Sequence, residues 1–314
     1  MMNTNKDTLP LQGLLNGIGQ VYFTPSVVTS LLLLLAISIE SIPLACLTLL
    51  GASCSYTLAR FIHNSVNTNS INTNRKTTHD LNSGMYALNG ALIGLFIGNF
   101  FGVTPILAVV TVFGALLTVP IAKIVFSFKK YRGYTSAFVI TSWGIYVVQS
   151  TFELSAFSTS SIALMPLIDI GTDAETDLPT FVVTMLKGIS QVSFINNELS
   201  GLVILVAIAL YSIKHAVWML LAVLISTLFS SLISADNELI KQGLYGYNAI
   251  LATLALVLCP RIAWPFVILG ILLSCLITLG FHTLALLPLT APFILSTWAA
   301  VYLSGLLQKR SLAY

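Results

Sequence analysis

The chain has 314 residues, of which 56% are hydrophobic and 8% charged, with a mean hydropathy of +0.92. Soluble domains carry about 25% charged residues, so this chain cannot cover a folded surface with ionic groups, and lipid must be its solvent. The net charge of +3 is small and scattered, which speaks against a nucleic-acid partner.

Residues 1–10 are polar, with Lys6 and Asp7, and no cleavable signal peptide is expected. Apolar segments follow at 11–24, 26–39, 42–62, 86–100, 103–122 and 134–152. A second set falls at 181–195, 199–213, 216–234, 244–259, 262–280 and 283–307. Crossing a bilayer takes about 20 apolar residues in a helix, and several of these segments are shorter. The stretch from His63 to Asp80, rich in Asn and Thr, reads as a polar loop, and the acidic stretch from Ser155 to Thr180 as the connection between halves. Pro43, Pro105, Pro120, Pro260, Pro265 and Pro292 lie at or near segment ends, where helices start or stop. Basic residues such as Arg60, Lys129, Lys214 and Arg310 are too scattered to set an orientation.

Three motifs occur twice, in the same order. Gly17-Ile18-Gly19-Gln20-Val21-Tyr22-Phe23 returns as Gly188-Ile189-Ser190-Gln191-Val192-Ser193-Phe194. Gly84 to Leu92 returns as Gly243 to Leu251, pairing Asn89 with Asn248. Tyr134-Thr135-Ser136-Ala137-Phe138 returns as Leu289-Thr290-Ala291-Pro292-Phe293. Ordered repetition with insertions confined to loops marks a duplicated unit. The halves are expected at 1–160 and 181–314, joined by a linker at 161–180. An odd number of crossings per half inverts the second half. The short, glycine-interrupted pair at 84–100 and 243–259 is the candidate for half-depth helices.

The repeated positions carry amides and hydroxyls but no titratable group. Ion-coupled transport needs intramembrane acids, bases or a cation site, and ion channels need charged rings or a carbonyl cage. A small neutral polar solute remains. The amide oxygens of Gln20 and Gln191, the hydroxyls of Thr135 and Thr290, and carbonyls freed at a broken helix can accept from a solute rich in N–H groups. Leu88 and Leu92, like Tyr247 and Leu251, are spaced i,i+4 and share one helical face. Such apolar walls admit a flat molecule and refuse a hydrated ion. Asn89 and Asn248 are expected to satisfy backbone groups. Gly90, Gly94 and Gly98 are expected to allow close helix packing. Cys46, Cys54, Cys259 and Cys275 sit in apolar runs without a CxxC and read as small packing residues. No HExxH or GxSxG is present, so neither an enzyme nor a cofactor or metal site is expected.

At these motifs the chain resembles the urea transporter family, the urea channels of bacteria and of vertebrate kidney and red cells. Three motif types, each doubled, span nearly the whole chain. The resemblance implies an all-α polytopic membrane protein of two inverted repeats, each with five transmembrane helices and one re-entrant pore helix. It implies a homotrimer in the cell inner membrane with one pore per protomer, and passive, uncoupled passage of urea. Carried over by position, Gln20, Val21 and Phe23 with Gln191, Val192 and Phe194 flank the urea sites. Leu88, Leu92, Tyr247 and Leu251 form the slot walls, and Thr135 and Thr290 face the constricted middle. This chain departs from the family pattern in three places. Leu88 stands where an aromatic is usual, Ala137 stands opposite Pro292, and Gln191 stands where some bacterial members have Glu. Leu88 motivates an alternative substrate class, short-chain amides or ammonia.

Overall fold

The computed structural model describes residues 10–65, 79–128, 132–152, 178–259 and 262–311. The helices of the first half are α1 (Pro10–Gly19), α2 (Val27–Glu40), α3 (Ile42–Ser65), α4 (Met85–Phe101), α5 (Pro105–Ser127) and α6 (Ser136–Phe152). Those of the second are α7 (Leu178–Ser190), α8 (Glu198–Tyr211), α9 (Ile213–Leu232), α10 (Asn237–Lys241), α11 (Gly246–Val257), α12 (Trp264–Thr283) and α13 (Ala291–Ser311). Most of the expected polar loop and of the expected linker lie outside the described residues, although α7 already begins at Leu178.

The helix starts follow the side chains. Ser26 caps α2 and Asn197 caps α8 at matching positions, each accepting from a backbone N–H three residues on. Thr104 caps α5 in the same way, ahead of Pro105. Pro120 differs from expectation: it lies inside α5, which runs on to Ser127. In a membrane helix the carbonyl that its ring frees is tolerated where neighbouring groups satisfy it. The short α10 was not foreseen. It forms because Asp236 accepts from the N–H groups of Glu238 (2.8 Å) and Leu239 (3.4 Å), a local event with no long apolar period to announce it.

α3, α5, α9 and α12 are long and apolar enough to cross a membrane, with up to six spans if each bent pair counts as one. The bent pairs are α1 with α2, at 66°, and α7 with α8, at 74°. At about 1.5 Å per residue, the 12-residue α11 is roughly 18 Å long and the 17-residue α4 roughly 26 Å. Both fall short of the ~30 Å hydrocarbon core. Taken singly, α1, α2, α4 and α6 in the first half and α7, α8, α10 and α11 in the second are below spanning length. Both α4 and α11 are almost entirely buried in protein. Lipid-facing apolar side chains ring the outside, among them Leu31, Leu35, Phe113, Val206 and Trp264. The chain is a multi-pass, all-α membrane protein.

Glycine sets two close approaches. α3 crosses α4 where Gly51, Gly90 and Gly94 bring backbone against backbone, so a Cβ at any of them would meet the other helix. Gly84 and Gly243 take left-handed φ of 80° and 76° at the starts of the α4 and α11 regions. Each rests on the backbone of the motif glycine of its own half, Gly17 or Gly188.

The halves meet about a local two-fold. Tyr22 and Ser193, matching residues 171 apart, touch at 3.2 Å through their hydroxyls. Thr135 and Thr290, matching residues 155 apart, touch at 2.8 Å. Trp143 on α6 donates to the Leu287 carbonyl just before α13, at 2.9 Å, and Trp298 on α13 donates to the Arg132 carbonyl just before α6, at 3.0 Å. Partners exchanged in both directions mark a two-fold contact. Each of these helices runs past the start of the other, so α6 and α13 are antiparallel. Ser200 near the start of α8 also donates to the Ala36 carbonyl of α2, at 2.8 Å, joining the matching helices of the two halves.

Candidate functional site

Both copies of the Gln-Val-x-Phe motif break their helix in the same way. α1 and α7 tighten into single 3₁₀ turns at Gln20–Tyr22 and Gln191–Ser193. Phe23 and Phe194 then adopt left-handed backbone, each at φ 58°. For a bulky side chain this conformation costs roughly 1–2 kcal/mol, and its repetition at one motif position marks an imposed feature rather than an accident. The breaks lie beside the two-fold, where the Tyr22 hydroxyl also donates to the Ile189 carbonyl at 2.9 Å.

The two phenylalanines project into reciprocal aromatic clusters. Phe23 meets Phe293 at 6.1 Å between ring centroids, and Phe194 meets Phe138, the match of Phe293, at 5.8 Å. Tyr134 closes the first cluster, 5.1 Å from Phe293 and 6.1 Å from Phe23. Tyr247 and Phe100 complete the second, 6.5 and 6.2 Å from Phe194.

A cavity of about 870 Å³ opens onto the first cluster. Gln20, Val21, Phe23, Leu88 and Thr135 line it from the first half, and Leu251 from the second. Tyr134 and Phe293 line it too, and His79, Asp80 and Arg132 add polar groups to its wall. The other expected positions, Leu92, Gln191, Val192, Phe194, Tyr247 and Thr290, are buried and do not line this cavity. Thr290 reaches its wall through Thr135. Among the described residues, neither the Gln20 nor the Gln191 side-chain amide makes a hydrogen bond to protein, so neither ties helices together.

Asn89 and Asn248 satisfy backbone, as expected. Asn89 Oδ1 accepts from the Phe138 N–H at 3.0 Å, and Asn248 Oδ1 accepts from the Phe293 N–H at 3.2 Å. Both N–H groups lie in the first turns of α6 and α13, where no intrahelical carbonyl reaches them, so each asparagine caps its helix and the Tyr134 and Leu289 carbonyls lie before the helical ladder begins. The backbone at those two positions is left-handed, φ 44° and 45°.

Sequence reasoning passed over Tyr134, Phe138 and Phe293 as site residues. A signal was present, since Phe138 and Phe293 stand three residues after the two threonines in a doubled motif. Tyr134 had none, because Leu289 replaces it in the second copy.

Apart from the less buried His79, Asp80 and Arg132, the cavity offers neutral acceptors beside apolar walls. Among the described residues no Asp, Glu, Lys or Arg is buried, and no group of three or more His, Cys, Asp or Glu could hold a metal ion. An unpaired ion would face an uncompensated desolvation cost there. A small uncharged solute would not.

A sequence model for the family described as urea transporter matches residues 11–305. Urea transporter 1 of Mus musculus and urea transporter 1 of Ovis aries are each 41% identical to the chain over 71 residues. Urea transporter 1 of Rattus norvegicus is 39% identical over 71 residues. Each of these alignments covers 23% of this chain and 18% of the relative.

Proposed function

The chain belongs to the urea transporter family, and from that premise we propose that it is a channel passing urea passively across the membrane, down its gradient and without coupling. One observation carries the reading. Two uncharged motifs of matching sequence face each other across the two-fold, and the hydroxyls of Thr135 and Thr290 join the halves there, 2.8 Å apart.

Urea is planar and neutral, with four N–H donors and one carbonyl. Losing its water costs little only where acceptors replace it. In this reading the Gln20 oxygen receives urea N–H groups in the first slot, beside Val21, Phe23, Leu88 and Leu92. The threonine pair supplies acceptors midway. Gln191 takes over in the second slot, beside Val192, Phe194, Tyr247 and Leu251. Beyond His79, Asp80 and Arg132, hydrated ions find no compensating charge along the path. The halves at 1–160 and 181–314, with a linker at 161–180, form inverted units with one pore between them. The same reading takes the protein to be a homotrimer in the lipid bilayer of a cell inner membrane, with one pore per protomer.

Stopped-flow urea flux into proteoliposomes tests this. Gln20→Leu is expected to lower flux several-fold while the protein stays monodisperse. Undiminished flux would remove Gln20 from the path, and flux of acetamide faster than urea in the unsubstituted protein would overturn the substrate.

A further inference from the structure

The two slots repeat in sequence, yet their hydrogen bonding differs. In the second half the Leu289 carbonyl, which precedes the first turn of α13, receives two donors. The Tyr247 hydroxyl reaches it at 2.7 Å and Asn248 Nδ2 at 3.2 Å. Both of its lone pairs are then engaged. The matching carbonyl in the first half is that of Tyr134. Leu88 stands where Tyr247 stands and has no hydroxyl. Asn89 Nδ2 turns away and donates to the Met85 carbonyl at 2.9 Å. Among the described residues no donor reaches the Tyr134 carbonyl. Tyr134, Leu88, Gln20 and Thr135 all line the 870 Å³ cavity.

Resting on the urea-channel reading, we propose that the slots are chemically unequal. The first holds a docking point for a solute N–H at the Tyr134 carbonyl, left open by Leu88, while Tyr247 closes the equivalent point in the second. A carbonyl of a cavity-lining residue that lacks a protein donor takes one from whatever solute reaches it. With the Gln20 amide on the same cavity it gives two acceptors, which suits a solute with several N–H groups. Leu88 also lacks the flat ring of Tyr247, so the first slot tolerates N-alkyl groups that the second resists. The first slot binds, and the second sieves.

Three variants in proteoliposomes test this, with urea and 1,3-dimethylurea as probes. Leu88→Phe restores a ring without a hydroxyl, and Leu88→Tyr adds the hydroxyl. Half-saturation for urea is expected to be about 2- to 12-fold higher in Leu88→Tyr than in Leu88→Phe, the span set by one neutral hydrogen bond. Equal values would overturn the docking point. Should Leu88→Tyr fail to fold, Tyr247→Phe reads the same claim from the other slot. Asn248 still serves Leu289 there, one lone pair is freed, and half-saturation is expected to fall. No change would again overturn the proposal. Dimethylurea flux is expected to rise in Tyr247→Phe less than it falls in Leu88→Phe, because Phe keeps the ring; the reverse order would overturn the sieve. A complete lack of urea flux in the unsubstituted protein would bring down the channel reading, and the inequality with it. Equal half-saturations in a conducting protein would bring down the inequality alone.

Discussion

Replacing Thr290 with valine probes the junction of the halves most directly. Thr290 is 1% exposed, and its hydroxyl meets only that of Thr135, which is 5% exposed. Valine keeps the shape and removes the oxygen. The Thr135 hydroxyl then loses its protein partner in a buried place, at a cost of about 1–3 kcal/mol. Thermal unfolding should register that loss. In the proposed channel the same change deletes one of two acceptors midway along the path. If a passing urea gains about 0.5–1.5 kcal/mol from each acceptor, the barrier rises by that much, and flux drops by roughly 2- to 12-fold. Stopped-flow light scattering on proteoliposomes reads the flux. Thr118→Val is the control. Thr118 is equally buried, but its hydroxyl donates to the Ala115 carbonyl of its own helix at 2.7 Å, outside the cavity. A Thr290→Val protein that melts earlier yet conducts like the control would refute the reasoning, since the threonine pair would then be structural alone.

Three further outcomes follow from the geometry. Gly84→Ala and Gly243→Ala should each destabilise by more than about 1 kcal/mol, because the left-handed backbone strains any Cβ and the motif glycine opposite leaves no room; unchanged melting would mean the close approach relaxes freely. Asn89→Leu and Asn248→Leu should each cost about 1–3 kcal/mol by orphaning the N–H of Phe138 or Phe293, measured as loss of thermal stability and of monodisperse yield. Trp143→Phe and Trp298→Phe should cost nearly equal amounts, about 0.5–1.5 kcal/mol each, since they break matching bonds of 2.9 and 3.0 Å; a large inequality would argue against the two-fold relation.

Much of the fold was legible because its signals are local. Hydropathy located the long crossings, since lipid requires an apolar exterior along each of them. Boundaries moved where a single side chain decided them, as with Asp236 and α10. Pro120 was misread as a stop because a membrane helix can absorb a proline within its length. The doubled motifs announced both glutamines and both threonines, yet Tyr134 stayed hidden because its match is leucine.

The order and chemistry of the sequence alone determined that this chain lives in lipid, that it is built twice over, and that its repeated polar groups are neutral. Tertiary structure decided which of those groups are spent. Tyr22 finds Ser193 across 171 residues and Thr135 finds Thr290 across 155, while the Leu289 carbonyl is covered by Tyr247 and, among the described residues, no donor covers that of Tyr134. Hydrogen bonding is a matter of ångströms between segments far apart in the chain, and only the packed two-fold arrangement sets those distances.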